Sequence, residues 1–124
     1  MSEVVSYIMY KLGCSHPFRI SRILLLAEWK AKEKLNRRLT DFHYVMEEFG
    51  FYIEELKDVV DELIEKGCAE KVEEKKCIRY LCEEPKIPEE VKGIIDELLE
   101  RVRDVSDREL NRMVIRDPRY GESP

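Results

Sequence analysis

Residues 53–82, IEELKDVVDELIEKGCAEKVEEKKCIRYLC, carry two hydrophobic periods in succession. Ile53, Leu56, Val59, Val60, Leu63 and Ile64 recur at three and four, which predicts a surface helix with one buried face, and Gly67 marks its C-terminal stop. Beyond Gly67 the period drops to two. Val72 and then Ile78, Tyr80 and Cys82 flank the polar tetrad Glu73-Glu74-Lys75-Lys76, which predicts an antiparallel hairpin with strands near 69–73 and 77–82.

Upstream, Val4, Val5, Ile8, Met9 and Leu12 predict a first helix over 3–12 with Ser2 as its N-cap. A second helix is predicted from Arg19 to about Arg38; its early half, through Ile20, Ile23, Leu24, Leu25, Leu26 and Ala27, is apolar on most sides and should run through the centre. Thr40-Asp41 opens a turn or short helix through Phe42, Tyr44, Val45, Met46 and Phe49, ending at Gly50. Downstream of the Pro85 and Pro88 connector, Val91, Ile94, Ile95, Leu98 and Val102 predict a further helix, with Pro88 in its first turn. Ser106-Asp107-Arg108-Glu109 has the spacing of a capping box and starts a last short helix with Leu110, Met113 and Val114. The fold class expected is mainly α with a small β-hairpin: a winged-helix-like domain over 1–84, extended by C-terminal helices over 85–124 that pack on it.

The 124 residues include 44% hydrophobic and 40% charged residues, enough for one core without room for a large multidomain enzyme. Glutamine is absent and asparagine occurs twice, and this Lys/Glu-rich, amide-poor composition hints at a hot-growing source. The opening Met1-Ser2-Glu3 lacks the features of a secretory signal, so a cytoplasmic location is expected. The longest apolar run, Ile23–Ala27, is far short of the roughly 20 residues of a membrane-spanning helix, so no membrane partner is expected. Cysteines at 14, 68, 77 and 82 form no CxxC knuckle. Cys68 and Cys77 flank the hairpin and can approach one another, but buried free thiols are the expectation, with no metal and no cofactor.

Several stretches are similar to one family. Arg19-Ile20-Ser21-Arg22-Ile23-Leu24-Leu25-Leu26-Ala27 resembles the opening helix of the YwgA-like uncharacterised proteins, themselves distant look-alikes of the Panacea/SocA-type antitoxin domains. Asp41-Phe42-His43-Tyr44 and Gly50-Phe51-Tyr52-Ile53-Glu54-Glu55-Leu56 resemble that family's Phe-His-Tyr and Gly-Pro-Tyr-Ser-x-Glu-Leu signature, with Phe51 in place of proline and Ile53 in place of serine. Glu109-Leu110 and Arg116-Asp117-Pro118-Arg119-Tyr120-Gly121 resemble its C-terminal end. The resemblance implies a winged-helix-like fold and a non-catalytic regulatory role, through DNA or a partner protein.

Charge separates those two uses. The natural recognition helix, 53–67, holds six acidic and two basic residues, a surface that repels the DNA polyanion. Residues 1–40 carry eight basic and three acidic residues, and the rest of the chain carries fourteen and twenty-four. Such a dipolar chain suits a protein partner or self-association. The cations Lys30, Lys34, Arg37 and Arg38 would face acidic Glu54, Asp58, Asp61 and Glu62 of a second copy or another protein. DNA-binding regulation is the alternative, with Arg19, Arg22, Lys57, Lys75, Lys76 and Arg79 as phosphate contacts.

Enzymatic chemistry is not expected. No GxGxxG, phosphate-loop, HExxH or GxSxG motif occurs. His43 and Glu47 would share a face of a helix over 41–49, but a histidine in an aromatic patch, held by a nearby carboxylate, accounts for the pair. Phe42, Tyr44, Phe49, Phe51 and Tyr52 crowd into eleven positions and, with Trp29, are expected mainly in the core.

Overall fold

The computed structural model describes residues 3–124, so the expected Ser2 cap lies outside the described residues. In chain order the elements are α1 (Glu3–Leu12), β1 (Cys14–Ser15), α2 (Pro17–Leu35), β2 (Tyr44–Glu47), β3 (Gly50–Ile53), α3 (Leu56–Glu65), β4 (Ala69–Val72), β5 (Cys77–Tyr80), α4 (Glu89–Val102) and α5 (Asp107–Ile115). Helices predominate and two small antiparallel sheets accompany them. No helix among the described residues is long and apolar enough to cross a membrane.

Helix α2 is the axis of the core. Ile20, Ile23, Leu24, Leu25 and Ala27 have no exposed surface, and Trp29 is buried as expected. The helix begins two residues before its expected start. His16 caps it, its Nδ1 accepting from the Phe18 N–H at 3.0 Å, and Pro17 sits in the first turn, where a missing N–H costs nothing. It ends at Asn36, which takes the left-handed conformation (φ 55°) and returns its N–H to the Lys32 carbonyl. Helices α4 and α5 pack against α2. Tyr7 Oη donates to Asp96 at 2.6 Å, and Arg19 reaches the Val102 carbonyl at 2.8 Å, joining the early helices to the C-terminal pair.

The turn or short helix expected from Thr40-Asp41 to Gly50 is a hairpin. Strands β2 and β3 pair Tyr44 with Ile53 and Glu47 with Gly50, leaving Glu48-Phe49 as a two-residue loop. Burial alternates as a half-covered strand requires: Phe51 and Ile53 are buried and Tyr52 points out. Ile53 therefore ends a strand, and α3 starts at Leu56. The second hairpin, β4–β5, falls within the expected strands, and β1 joins it in the order β1-β5-β4. All four cysteines are paired, contrary to the expectation of free thiols. Cys14 bonds Cys77, linking β1 to the start of β5, and Cys68 bonds Cys82, closing the far end of the hairpin. Cys68 and Cys77, which flank the hairpin, thus bond to separate partners and not to each other.

Between α2 and β2 the chain folds around one carboxylate. Glu28 has no exposed surface. Its Oε1 accepts from Arg38 Nε (3.1 Å), the Leu39 N–H (2.7 Å) and the Thr40 N–H (3.2 Å). Its Oε2 accepts from Arg38 Nη2 (3.0 Å), Thr40 Oγ1 (2.6 Å) and Tyr44 Oη (2.7 Å). Burial pushes the Glu28 carboxyl up, but the hydrogen bonds from Arg38, Thr40, Tyr44 and the Leu39 amide outweigh it and hold the group below its ordinary value. Arg38, expected to face a partner protein, is instead spent on this internal pair and on the Phe42 carbonyl.

Because the folded-state value of Glu28 is depressed, its stabilisation is complete above the unfolded value near 4.5 and is lost as pH falls through the folded one. Glu28→Gln is expected to cost about 3 kcal/mol at neutral pH and to flatten the acid limb below that point, read by urea unfolding across pH. Wild-type slope in the variant's acid limb would contradict it. The crosslinks give a second expectation. Cys14→Ser with Cys77→Ser should cost about 4 kcal/mol and Cys68→Ser with Cys82→Ser about 3 kcal/mol, since the first closes the longer loop. Guanidinium unfolding measures both, and four free thiols in the native protein would overturn the pairing.

Candidate functional site

The N-terminal turn of α2, strand β3, helix α3 and the β4–β5 sheet line a cavity of about 400 Å3 that opens to solvent. Phe51, Ile53, Leu56, Val60 and Ile78 supply apolar walls, while His16, Lys57, Asp61 and Lys71 stand among its polar lining. Arg22 lines it from α2 and is only 5% exposed. The guanidinium lies between two rings, with its carbon 3.9 Å from the centre of Phe18 and 4.3 Å from that of Phe51. Nε donates to Asn111 Oδ1 at 3.0 Å and Nη1 to Ser21 Oγ at 2.9 Å. Both acceptors are neutral. No carboxylate among the described residues pairs with Arg22, and Nη2 has no hydrogen-bond acceptor there. Burial lowers the Arg22 pKa from its ordinary value, yet a guanidinium stays protonated in proteins. The site therefore holds a largely buried cation with three N–H donors free of protein acceptors, and its Nη2 keeps contact with solvent.

Gly50 permits this arrangement. A Cβ there would lie 3.0 Å from Arg22 Nη2, so the guanidinium would have to give by a few tenths of an ångström. The hairpin carrying Gly50 is fixed from the C-terminal side. Asn111 Nδ2 donates to the Phe49 carbonyl at 3.2 Å, and the Tyr120 hydroxyl lies 2.5 Å from the Glu47 carbonyl and 2.6 Å from that of Gly50. Phe49 at the tip is 77% exposed and Tyr52 is 51% exposed, so two of the aromatics expected in the core face outward, whereas Phe42, Tyr44 and Phe51 are buried.

The residues assigned to phosphate contact do not form one surface. Arg22 is buried in the slot just described. Arg19 is held by Asp107 at 2.7 Å and by the Val102 carbonyl, facing the C-terminal helices. Lys57 pairs with Asp61 at 2.8 Å and Arg79 with Glu70 at 3.3 Å. Lys75 and Lys76 are exposed in the β4–β5 turn with no ion pair among the described residues. Of the residues assigned to protein contact, Asp61 is paired with Lys57 and Glu62 with Lys66, both at 2.8 Å. Glu54, Asp58 and Glu62 are exposed, and Asp61 is partly so. Lys34 is exposed, Lys30 lies 3.7 Å from Glu33 and Arg37 lies 4.0 Å from Glu90.

His43 does not pair with Glu47. It precedes β2, and strand geometry carries Glu47 away from it. Its Nδ1 instead binds Glu55 Oε2, while its backbone N–H donates to Glu55 Oε1 at 2.8 Å. With Glu54 these side chains bring ligand-type atoms within 4.8 Å of one another. His43 and Glu54 are exposed and Glu55 is partly so, and the His43–Glu55 bond already uses Nδ1. The Glu55 contact raises the His43 pKa above 6.5, so its contribution is complete below that unfolded value and fades as pH rises through the folded one. A proton NMR titration is expected to place His43 above 6.5, with Glu55→Gln returning it toward that value; an unchanged titration in the variant would remove the pair.

The chain matches no family model, no curated protein and no solved structure.

Proposed function

We propose that this chain is a non-catalytic regulatory or adaptor domain of winged-helix-like architecture that acts through protein contacts. The order α1-β1-α2-α3-β4-β5 with β1 beside β5, interrupted by the β2–β3 hairpin, supports the architecture. The observation that carries the function is the pairing of an exposed aromatic tip, Phe49 and Tyr52, with the exposed carboxylates Glu54, Asp58 and Glu62 on the adjoining segment. Rigid aromatics beside acidic groups suit a partner with a basic, partly apolar surface. A second copy offers Lys30, Lys34 and Arg37.

DNA-binding regulation is the second reading. Lys75 and Lys76, exposed on the turn that would serve as the wing, favour it. The acidic face of α3, the helix that would enter the groove, opposes it. Cytoplasmic placement belongs to the same proposal; disulfides are uncommon in that compartment, and the hot-growing source at which the composition hints would account for two of them.

A salt series with generic duplex DNA separates the readings. Absence of saturable binding at low salt is expected, and binding that weakens steeply with added salt would favour the regulator of DNA. In sedimentation, self-association is expected to give a concentration-dependent mass approaching twice 14.8 kDa. Phe49→Asp should weaken that association; a variant that associates as the wild type does would take the aromatic tip out of the interface.

A further inference from the structure

We propose that the cavity beneath Arg22 binds a small amphipathic carboxylate, with the carboxylate on the guanidinium and an apolar or aromatic body along Leu56, Val60 and Ile78. This goes beyond the protein-contact reading and does not depend on it.

Buried arginines ordinarily meet a carboxylate, because a desolvated charge without a counter-ion is costly. Arg22 has none among the described residues, although Phe18, Phe51, Ser21 and Asn111 hold it in a fixed orientation. With Nε occupied by Asn111 and one N–H of Nη1 by Ser21, the remaining N–H on Nη1 and those on Nη2, the latter lying toward Gly50, stay open to a planar carboxylate. The cavity volume of about 400 Å3 falls within the range of small-molecule sites, and its walls are mainly apolar.

Charge selects the side on which the ligand sits. On the other side of Arg22 a shallow depression at the hairpin tip is lined by Glu47 and Glu48, which repel an anion. On the α3 side Asp61 lies 2.8 Å from Lys57 and also feels the charge of Lys71, so the two lysines and one carboxylate leave that rim net positive. A carboxylate with an apolar body fits the mainly apolar walls better than a phosphate, which has no apolar part to set against them.

The test is an amide-resolved NMR titration of the full chain with 2-naphthoate, its neutral counterpart 2-naphthamide, and inorganic phosphate. With 2-naphthoate, saturable shifts are expected at Ser21, Phe51 and Val60 with a Kd below about 1 mM, and 2-naphthamide is expected to bind at least about tenfold more weakly. Arg22→Lys should weaken 2-naphthoate by about tenfold. Because Arg22 is buried and this variant can lose its fold, Lys71→Glu on the exposed rim provides the second reading and is expected to weaken binding several-fold. Absence of saturable shifts, equal affinity for the amide, tighter binding of phosphate, or unchanged affinity in Lys71→Glu would each overturn the proposal.

Discussion

Six donors converge on the two oxygens of Glu28, and the local architecture between α2 and the first hairpin depends on that convergence. A carboxylate at the centre of an apolar helix is unfavourable unless every lone pair is used. Here the segment after α2 must turn back sharply enough to deliver two backbone amides, a hydroxyl, a guanidinium and a phenol to one point. Left-handed Asn36 makes the turn, and Tyr44, the first residue of β2, is delivered with its hydroxyl on Glu28. The constraint thus passes from the middle of α2 to the start of the hairpin.

The hairpin is gripped at its other end by the C-terminal helices. Asn111 and Tyr120 bind its loop carbonyls, and Asn111 also takes the Nε proton of Arg22. Residues 85–124 therefore do more than cover the core: they complete the walls around the arginine and hold the aromatic tip. A loop fixed at both ends loses little entropy when something docks on it, which is the condition for Phe49 and Tyr52 to act as a preorganised contact. The two disulfides fix the opposite sheet, so the cavity between α2, α3 and β5 has rigid boundaries on either side.

The helix stripe from Leu56 to Ile64 and the change of period after Gly67 were legible in the sequence because each element there buries one face only. Residues 41–53 were not. Phe42, Val45, Met46 and Phe49 fall at three and four and imitate a helix. The Glu48-Phe49 loop also lacks the left-handed residue that usually betrays a two-residue hairpin, since positive φ among described non-glycine residues is confined to Asn36 and Lys76. Strand β1 is only two residues long, too short for any period. The cysteine spacings named no partners, because pairing depends on how β1 returns beside β5.

The site residues follow the same logic. Arg22 reads as a surface cation by type, but α2 is buried on nearly all sides, so it has no solvated face to occupy. Glu28 and Arg38, ten positions apart, gave no helical spacing that would join them, and only the turn at Asn36 does so. A charged residue in the middle of an all-round apolar helix was the available signal for both Arg22 and Glu28: such a group must find partners or hold a ligand.

Native-state hydrogen exchange at Leu39 and Thr40 tests the central constraint most directly, since both amides lie outside regular helix and strand and donate only to Glu28. If the carboxylate organises this region, the two amides exchange as slowly as those of Leu24 and Leu25 in the core of α2, through global unfolding. Exchange at the rate of an open loop, with α2 still protected, would contradict it.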